Sequence, residues 1–277
     1  MNWSFSTLGC PHRTLQEAFA LARRYNLSSL EIRALNGNVN LRDNLIEIFG
    51  SPRSACGLAQ SLPLPICSLD SSVRVIGPSQ EDWTELEALA PWADALNVPS
   101  IRVFDGRPRL GDLQETHLQQ VRDFFVWWNQ KRDDHGWKVD VIVETHDILL
   151  TTEAIKRFQS ILETPAKILW DTHHTWSKGE EDPQSTWQSI APWVAHIHVK
   201  DRRKGSNPGE PETFALPGEG NFPFATLIPE LEAYNFSGPV SLEWEKFWKP
   251  ELPELSEALE ACRRMNWWGS PPNPSAS

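Results

Sequence analysis

Four apolar runs, VDVIVETH, AKILWDTHH, VAHIHVKD and GPVSLEWEK, each read as a short β-strand and each carry an acidic or imidazole side chain at or near the end. Those side chains are Glu144, Asp171, His198 and Glu243. A helix-like stretch follows every run, so consecutive parallel strands would deliver all four residues to one rim. That is the layout of a metal site at the carboxyl face of a β/α barrel. A lone Asp or Glu after a strand is ordinarily a helix N-cap or turn residue. Its recurrence on four successive strands needs a stronger reason.

The same alternation runs through the earlier part of the chain. WSFSTL, SSLEIRA, PICSLD and SIRVFDG read as four further strands. Thr14 and Glu17 form a capping box ahead of Leu15, Ala18, Phe19 and Ala22 at helical spacing. A short helix is expected over 41–49, and Ser79 opens another in which Pro91 should force a kink or a restart. A long helix then places Val121, Phe124, Phe125 and Trp128 on one face. Later helices carry Ile155, Phe158, Ile161 and Leu162; Asp182 followed by Pro183 in the first turn; Phe224, Leu227, Ile228 and Leu231; and Leu255, Ala258, Leu259 and Cys262. Eight strand–helix units with continuous apolar strands predict a single (β/α)8 TIM barrel over residues 1–269, with 270–277 as a flexible tail. No G-x-G-x-x-G or P-loop is present, which removes the usual mark of open-sheet nucleotide binders.

A length of 277 residues suits one such barrel. The formal charge of -11 argues against a nucleic-acid partner, because phosphate neutralisation needs a basic face. Cys10, Cys56, Cys67 and Cys262 are widely spread, as unbridged thiols of a reducing compartment would be. The amino terminus lacks a signal-like pattern and no run approaches a membrane span, so a soluble cytoplasmic protein with no membrane partner is expected. Fourteen Trp residues exceed what a barrel core requires. Trp83, Trp127, Trp128 and Trp187 fall on helical stretches as packing residues, whereas Trp170, Trp176, Trp244 and Trp248 flank the four ligand-type residues and are candidates for walling a substrate pocket.

Three carboxylates and one imidazole form a hard-to-borderline donor set suited to one divalent metal ion: Mg2+, Mn2+, Co2+ or Zn2+. Glu144 and Glu243 lie on non-adjacent strands and can face each other across a substrate as general base and general acid. That arrangement suits moving a proton beside a sugar carbonyl. Period two along the strands turns His146 to the side of Glu144, His196 to the side of His198, and Lys200 and Arg33 inward. Lys200 and Arg33 are placed to contact substrate, or to pair with each other or with Glu31. His174 lies past its strand end, where a substrate hydroxyl is met; His173 and His196 read as structural. Arg33, Arg102, Arg107, Lys200 and Arg202 are candidates for a phosphate or carboxylate site at the rim.

These residues carry a resemblance. ETH after the fifth strand, DTHH after the sixth, HIHVKD on the seventh, LPGEGNFPF at 216–224 and SLEWEK on the eighth resemble the sugar phosphate isomerase/epimerase family, whose xylose-isomerase-like barrels include ketose 3-epimerases, inosose dehydratases and endonuclease IV. The resemblance extends from STLGCP to LEWEKFWKPEL. It implies that Glu144, Asp171, His198 and Glu243 bind one divalent metal, that the two glutamates exchange the proton, and that His174 contacts substrate. Ketose 3-epimerases of the family carry an arginine six residues beyond the metal histidine, where this chain has Lys204. The leading reading is a metal-dependent isomerase or epimerase of a small sugar or polyol. A dehydratase or lyase on a keto-sugar or keto-glycoside is the nearest alternative, since the same enediolate can expel a β-substituent. A phosphodiester hydrolase would need several zinc ions with further histidine ligands from strands three and four, and none is evident there. Members of the family often dimerise or tetramerise, which makes a homo-oligomer possible, although no interface patch is legible in the sequence.

Overall fold

The computed structural model describes residues 1–106, 113–205 and 211–267. Its strands are β1 (Asn2–Phe5), β2 (Leu30–Ile32), β3 (Ile66–Arg74), β4 (Ser100–Phe104), β5 (Asp140–Glu144), β6 (Lys167–Asp171), β7 (Val194–Val199), β8 (Asp201–Arg203), β9 (Thr213–Ala215) and β10 (Pro239–Leu242). All but β8 and β9 form one parallel sheet, ordered β2-β3-β4-β5-β6-β7-β10-β1. A parallel bridge between Ser6 and Glu31 brings the two ends together, so the sheet is a nearly closed barrel. Helices α1 (Leu15–Arg24), α2 (Leu41–Phe49), α3 (Pro52–Leu58), α4 (Gln80–Ala95), α5 (Glu115–His135), α6 (Thr152–Ser160), α7 (Pro183–Ile190), α8 (Phe224–Ala233) and α9 (Leu255–Arg264) lie between and after the strands. The fold is a single (β/α)8 barrel. Its strands have buried residues on both faces because one face meets the barrel interior and the other meets the helices.

Local chemistry fixes the helix starts. Thr14 accepts from the Glu17 amide while Glu17 reaches back to the Thr14 amide, and Ser79 and Asp82 repeat the device for α4. Asp182 caps α7 with Pro183 in its first turn. Of the kink or restart expected at Pro91, the restart does not occur: α4 runs through it. Leu86, Leu89, Ala90, Trp92 and Ala93 around the proline are buried, and this packing outweighs the one donor that proline removes.

Two strand boundaries differ from expectation. β1 stops at Phe5, and Thr7–Gly9 forms a tight turn instead. The Thr7 hydroxyl there accepts from the amides of Arg33 and Ala34, tying the end of β1 to the end of β2. β3 continues to Arg74 past a register shift after Asp70. The β8–β9 hairpin was not anticipated from the sequence. Residues 270–277 and Arg107 lie outside the described residues. Among the described residues, no helix is long and apolar enough to cross a membrane.

The tryptophans divide by face. Trp128 and Trp187 are buried between helices and sheet, as expected, and Trp83 packs on Phe124 and Trp127. Trp170 and Trp244 are also core residues, which removes them from the pocket wall: Trp170 stacks on Trp187 at 5.9 Å, and the Trp244 indole donates to the Pro253 carbonyl at 2.8 Å. Each is the immediate neighbour of an inward-facing acid, so period two turns it outward toward the helices.

Candidate metal centre

Glu144 and Asp171 are the last residues of β5 and β6, His198 is the penultimate residue of β7, and Glu243 directly follows β10. Asp171 is in register with His198, and His198 with Ser241 two residues before Glu243, so the strand ends converge. One ligating atom from each of the four residues lies within 4.8 Å of the others. His198 Nδ1 is 3.6 Å from Glu243 Oε2 and 3.9 Å from Glu144 Oε1. All four side chains are buried.

Strands β2 to β4 hold these groups in place. Glu31 Oε2 lies 3.0 Å from Nε2 of His198 and 3.0 Å from Nε2 of His196, which leaves His198 Nδ1 turned to the cluster. His196 is further bonded to the Ser241 hydroxyl at 2.7 Å, so it is a supporting residue as expected. The buried Arg102 guanidinium meets Glu144 Oε2 at 3.2 Å and Asp70 Oδ2 at 3.8 Å, and it covers the Phe104 ring at 4.1 Å. Arg102 is therefore not part of a rim anion site. Lys200 is likewise buried and pairs with Asp171 at 2.7 Å, with Glu243 and with Glu245 at 3.0 Å. Of the pairings open to it in the sequence, neither Arg33 nor Glu31 is the partner.

The charge state follows from this packing. Burial raises the Glu144 carboxyl, with the Arg102 guanidinium opposing and the Glu243 carboxylate adding to the rise. Burial acts on Glu243 in the same sense but loses to Lys200 and His198, which hold it well below the usual carboxylate range. Without a metal ion the His198 imidazole and the Lys200 ammonium both hold their protons against burial, because Glu31 and Glu243 flank the first and Asp171, Glu243 and Glu245 surround the second; a bound cation would replace the proton on His198 Nδ1. The cluster thus selects for positive charge. His198 Nδ1 is buried without a hydrogen-bond partner, and three carboxylates plus one imidazole suit a hard or borderline divalent cation. The residues present fit such an ion.

The expected substrate contacts take different places. His174 is buried with Nδ1 3.0 Å from the Thr145 carbonyl and 3.2 Å from Asp171 Oδ2, and burial followed by the Lys200 charge keeps it well below the usual histidine range, hence neutral. His146 packs between Phe104 and His174 and pairs with Asp147 at 3.1 Å. Both histidines line an inner chamber of about 110 Å³ together with Arg33, Arg102, Glu144, Lys200, Glu243 and Trp248. Arg33 donates to the Val39 carbonyl and the Ser72 hydroxyl, each at 3.0 Å. Trp176 lies elsewhere, in a side cleft with Lys204, whose ammonium sits 4.6 Å from the indole ring. Arg202 is paired with Glu245 at 3.6 Å and covers the Phe214 ring.

Sequence reasoning missed Glu31 as the partner of His198, Arg102 as the partner of Glu144, and Glu245. Period two marked Glu31 as inward, and Glu245 follows Glu243 at the same spacing. Two loop anchors were also missed. Asp105 accepts from the amides of His146, Asp147, Ile148 and Leu149 and so fixes the loop after β5. Asp201 accepts from Gly218, Gly220 and Phe222 and fixes the 216–224 loop, where a side chain at Gly220 would collide with the Asp201 carboxylate.

Comparison with known proteins agrees with this fold. Residues 15–265 match the family described as xylose isomerase-like TIM barrel. An inosose dehydratase of Klebsiella pneumoniae (strain 342) is 26% identical over 158 residues, which are 50% of this chain and 53% of that protein. The match thus spans about half the length of the curated relative. Among solved structures, the probable 3-DHS dehydratase AsbF of Bacillus anthracis superposes with a TM-score of 0.74 at 18% identity, covering 96% of this chain and 98% of that one. The zinc-bound IolI protein gives 0.74 at 15% identity, covering 95% and 96%. At these identities the two likenesses concern the fold.

Proposed function

The chain belongs to the xylose isomerase-like TIM barrel family, and on that premise we propose that it is a divalent-metal-dependent isomerase or epimerase of a small sugar or polyol derivative. The observation that carries the reading is the pair of buried glutamates from opposite sides of one cluster, Glu144 on β5 and Glu243 after β10, held by their neighbours in opposite protonation tendencies. A cation held by Glu144, Asp171, His198 and Glu243 would polarise a substrate carbonyl and stabilise the negative charge left by proton removal. The zinc of the IolI protein, which shares the fold, supports a metal in this barrel.

Glu243 is the base. Lys200, set against it, keeps it ionised, so it takes the proton from the carbon beside the carbonyl. Glu144, whose carboxyl is raised, returns a proton to the opposite face or to the adjacent carbon. Neutral His174 and partly exposed His146 orient hydroxyls at the chamber wall, and Arg33 holds a substrate oxygen there, while Lys200, committed to Asp171, Glu243 and Glu245, sets the charge of the cluster. Dehydration is the second reading, favoured by the 26% identity to an inosose dehydratase. Under it the same proton abstraction ends in loss of a β-hydroxyl.

Product analysis separates the two. Protein loaded with Mn2+, Co2+, Mg2+ or Zn2+ is incubated with ketoses, aldoses and keto-inositol, and the products are resolved by mass and NMR. Isomerisation leaves the mass unchanged and dehydration removes one water. Dialysis against chelator should abolish turnover, with Mn2+ or Co2+ restoring it best. Full activity after verified metal removal would overturn the proposal.

A further inference from the structure

The inner chamber is small. At about 110 Å³ it falls below the roughly 300–1,000 Å³ of pockets that enclose a whole small ligand, so it takes the reacting end of a substrate and little else. It adjoins an outer cavity of about 1090 Å³, with His146, His174 and Glu245 lining both.

The outer wall holds a buried group with nothing to bond. His173 is only 2% exposed, lines the outer cavity, and has no hydrogen-bond partner on either ring nitrogen. Its Nε2 stands 3.5 Å from Glu212 Oε2, and the Ser177 hydroxyl donates to the same oxygen at 2.7 Å. Buried polar atoms are almost always satisfied, so an unpaired imidazole facing a cavity marks a position for a ligand atom.

The chemistry of the wall says what kind of ligand. The Arg202 guanidinium is matched by Glu245 at 3.6 Å, and the Lys178 ammonium donates to the His146 carbonyl at 3.0 Å. Glu212 and Asp147 add negative charge to the same wall. Among the described residues no net positive field remains to select a phosphate or carboxylate. A mixture of imidazole, hydroxyl, carboxylate and matched guanidinium suits an uncharged group rich in hydroxyls, each of which can donate and accept. His173, Ser177 and Glu212 belong to the segment after β6 and the segment before β9, so their cavity is bounded by elements the proton transfer does not require.

We propose that His173, Ser177, Glu212 and Arg202 form a second subsite that takes an uncharged polyhydroxylated ring attached to the reacting sugar, making the substrate a glycoside or disaccharide with a carbonyl in its inner unit. This subsite rests on the isomerase reading for which end of the substrate enters the chamber. The binding it provides is independent of turnover.

The test compares D-fructose with two disaccharides that keep the fructose carbonyl, isomaltulose and lactulose, as probes of the Mg2+-loaded full-length protein. Dissociation constants come from NMR titration, and conversion is followed separately in the same samples. At least one disaccharide should bind about tenfold or more tighter than fructose, the worth of one or two well-placed hydrogen bonds. His173→Leu and Glu212→Ala should each remove most of that advantage and leave fructose binding unchanged. Glu212 sits on a partly exposed segment, so its variant keeps the test valid should His173→Leu fail to fold. Disaccharides that bind no tighter than fructose, or variants that weaken both ligands equally, overturn the subsite even where fructose is converted. Tighter disaccharide binding lost in the variants, with no sugar converted, upholds the subsite while the isomerase reading falls.

Discussion

The barrel has two halves with opposite kinds of inward polar residue. From β5 onward, Glu144, Asp171, His198 and Glu243 turn ligating atoms toward one point. From β2 to β4, Glu31, Asp70 and Arg102 are equally buried but face other protein groups: Glu31 two imidazoles, Asp70 the Ser68 hydroxyl, Arg102 the Glu144 carboxylate and the Ser71 carbonyl. On the proposed function, one half presents chemistry and the other sets its geometry and charge. Burial is common to both halves, so what separates them is the convergence of four ligand-type side chains from successive strand ends on one point.

The comparison breaks most readily at Glu243. If the later half does the proton transfer, Glu243→Gln should keep part of the metal affinity while turnover falls by a factor on the order of 10²–10⁴. Steady-state kinetics on protein of measured metal content checks this. A metal-loaded variant with near-native turnover would end the assignment of Glu243 as base.

Arg102 probes the charge balance supplied by the earlier half. Replacing it with Met leaves the Glu144 and Asp70 carboxylates buried without their cation, which should cost about 3–5 kcal/mol of stability. Urea unfolding of the metal-free protein measures the loss. A change under about 1 kcal/mol would mean that Glu144 and Asp70 are balanced by protons instead, and for Asp70, pushed well up by burial and the nearby Glu31 carboxylate, that outcome has a physical route.

Glu31 tests geometry alone. Glu31→Ala frees the His198 ring, so the affinity for Mn2+ should drop by about 10–100-fold, the usual effect of removing a group that orients a metal-binding histidine. Glu31→Gln, which still offers an oxygen to Nε2, should lose less. Equal losses in the two variants, read by calorimetric titration, would show that the negative charge of Glu31 matters more than its position.

The sequence made the later half legible and the earlier half much less so, for a physical reason. Strand ends are marked by the change from apolar run to polar loop, so Glu144, Asp171, His198 and Glu243 could be read from their own neighbours. The partnership of Glu31 with His198 spans 167 positions and exists only because the barrel closes. Arg102 read as one of several rim cations because nothing local says that Phe104 covers it. Trp170 and Trp244 looked like pocket walls by proximity in sequence, whereas alternation along a strand puts the neighbour of an inward residue outside. The β8–β9 hairpin consists of two three-residue strands, too short for any period to show, yet it carries Arg202 and leads from Glu212 at the outer cavity.

Arg33 offers the smallest effect and the finest division between the halves. It belongs to the earlier half, and its guanidinium is already bonded to the Val39 carbonyl and the Ser72 hydroxyl, yet it lines the inner chamber. Burial, with Arg102 close by, lowers it to about 10, which still leaves it charged at neutral pH. A charged group at the wall, committed to two neutral acceptors and away from the four ligating atoms, can hold a substrate oxygen equally before and during the reaction. Interactions of that kind lower KM without raising kcat. Arg33→Met should therefore raise KM by roughly three- to tenfold and leave kcat within about twofold. A fall in kcat at unchanged KM would place Arg33 at the reacting atoms, and the earlier half of the barrel would then have to be counted among the groups that do chemistry.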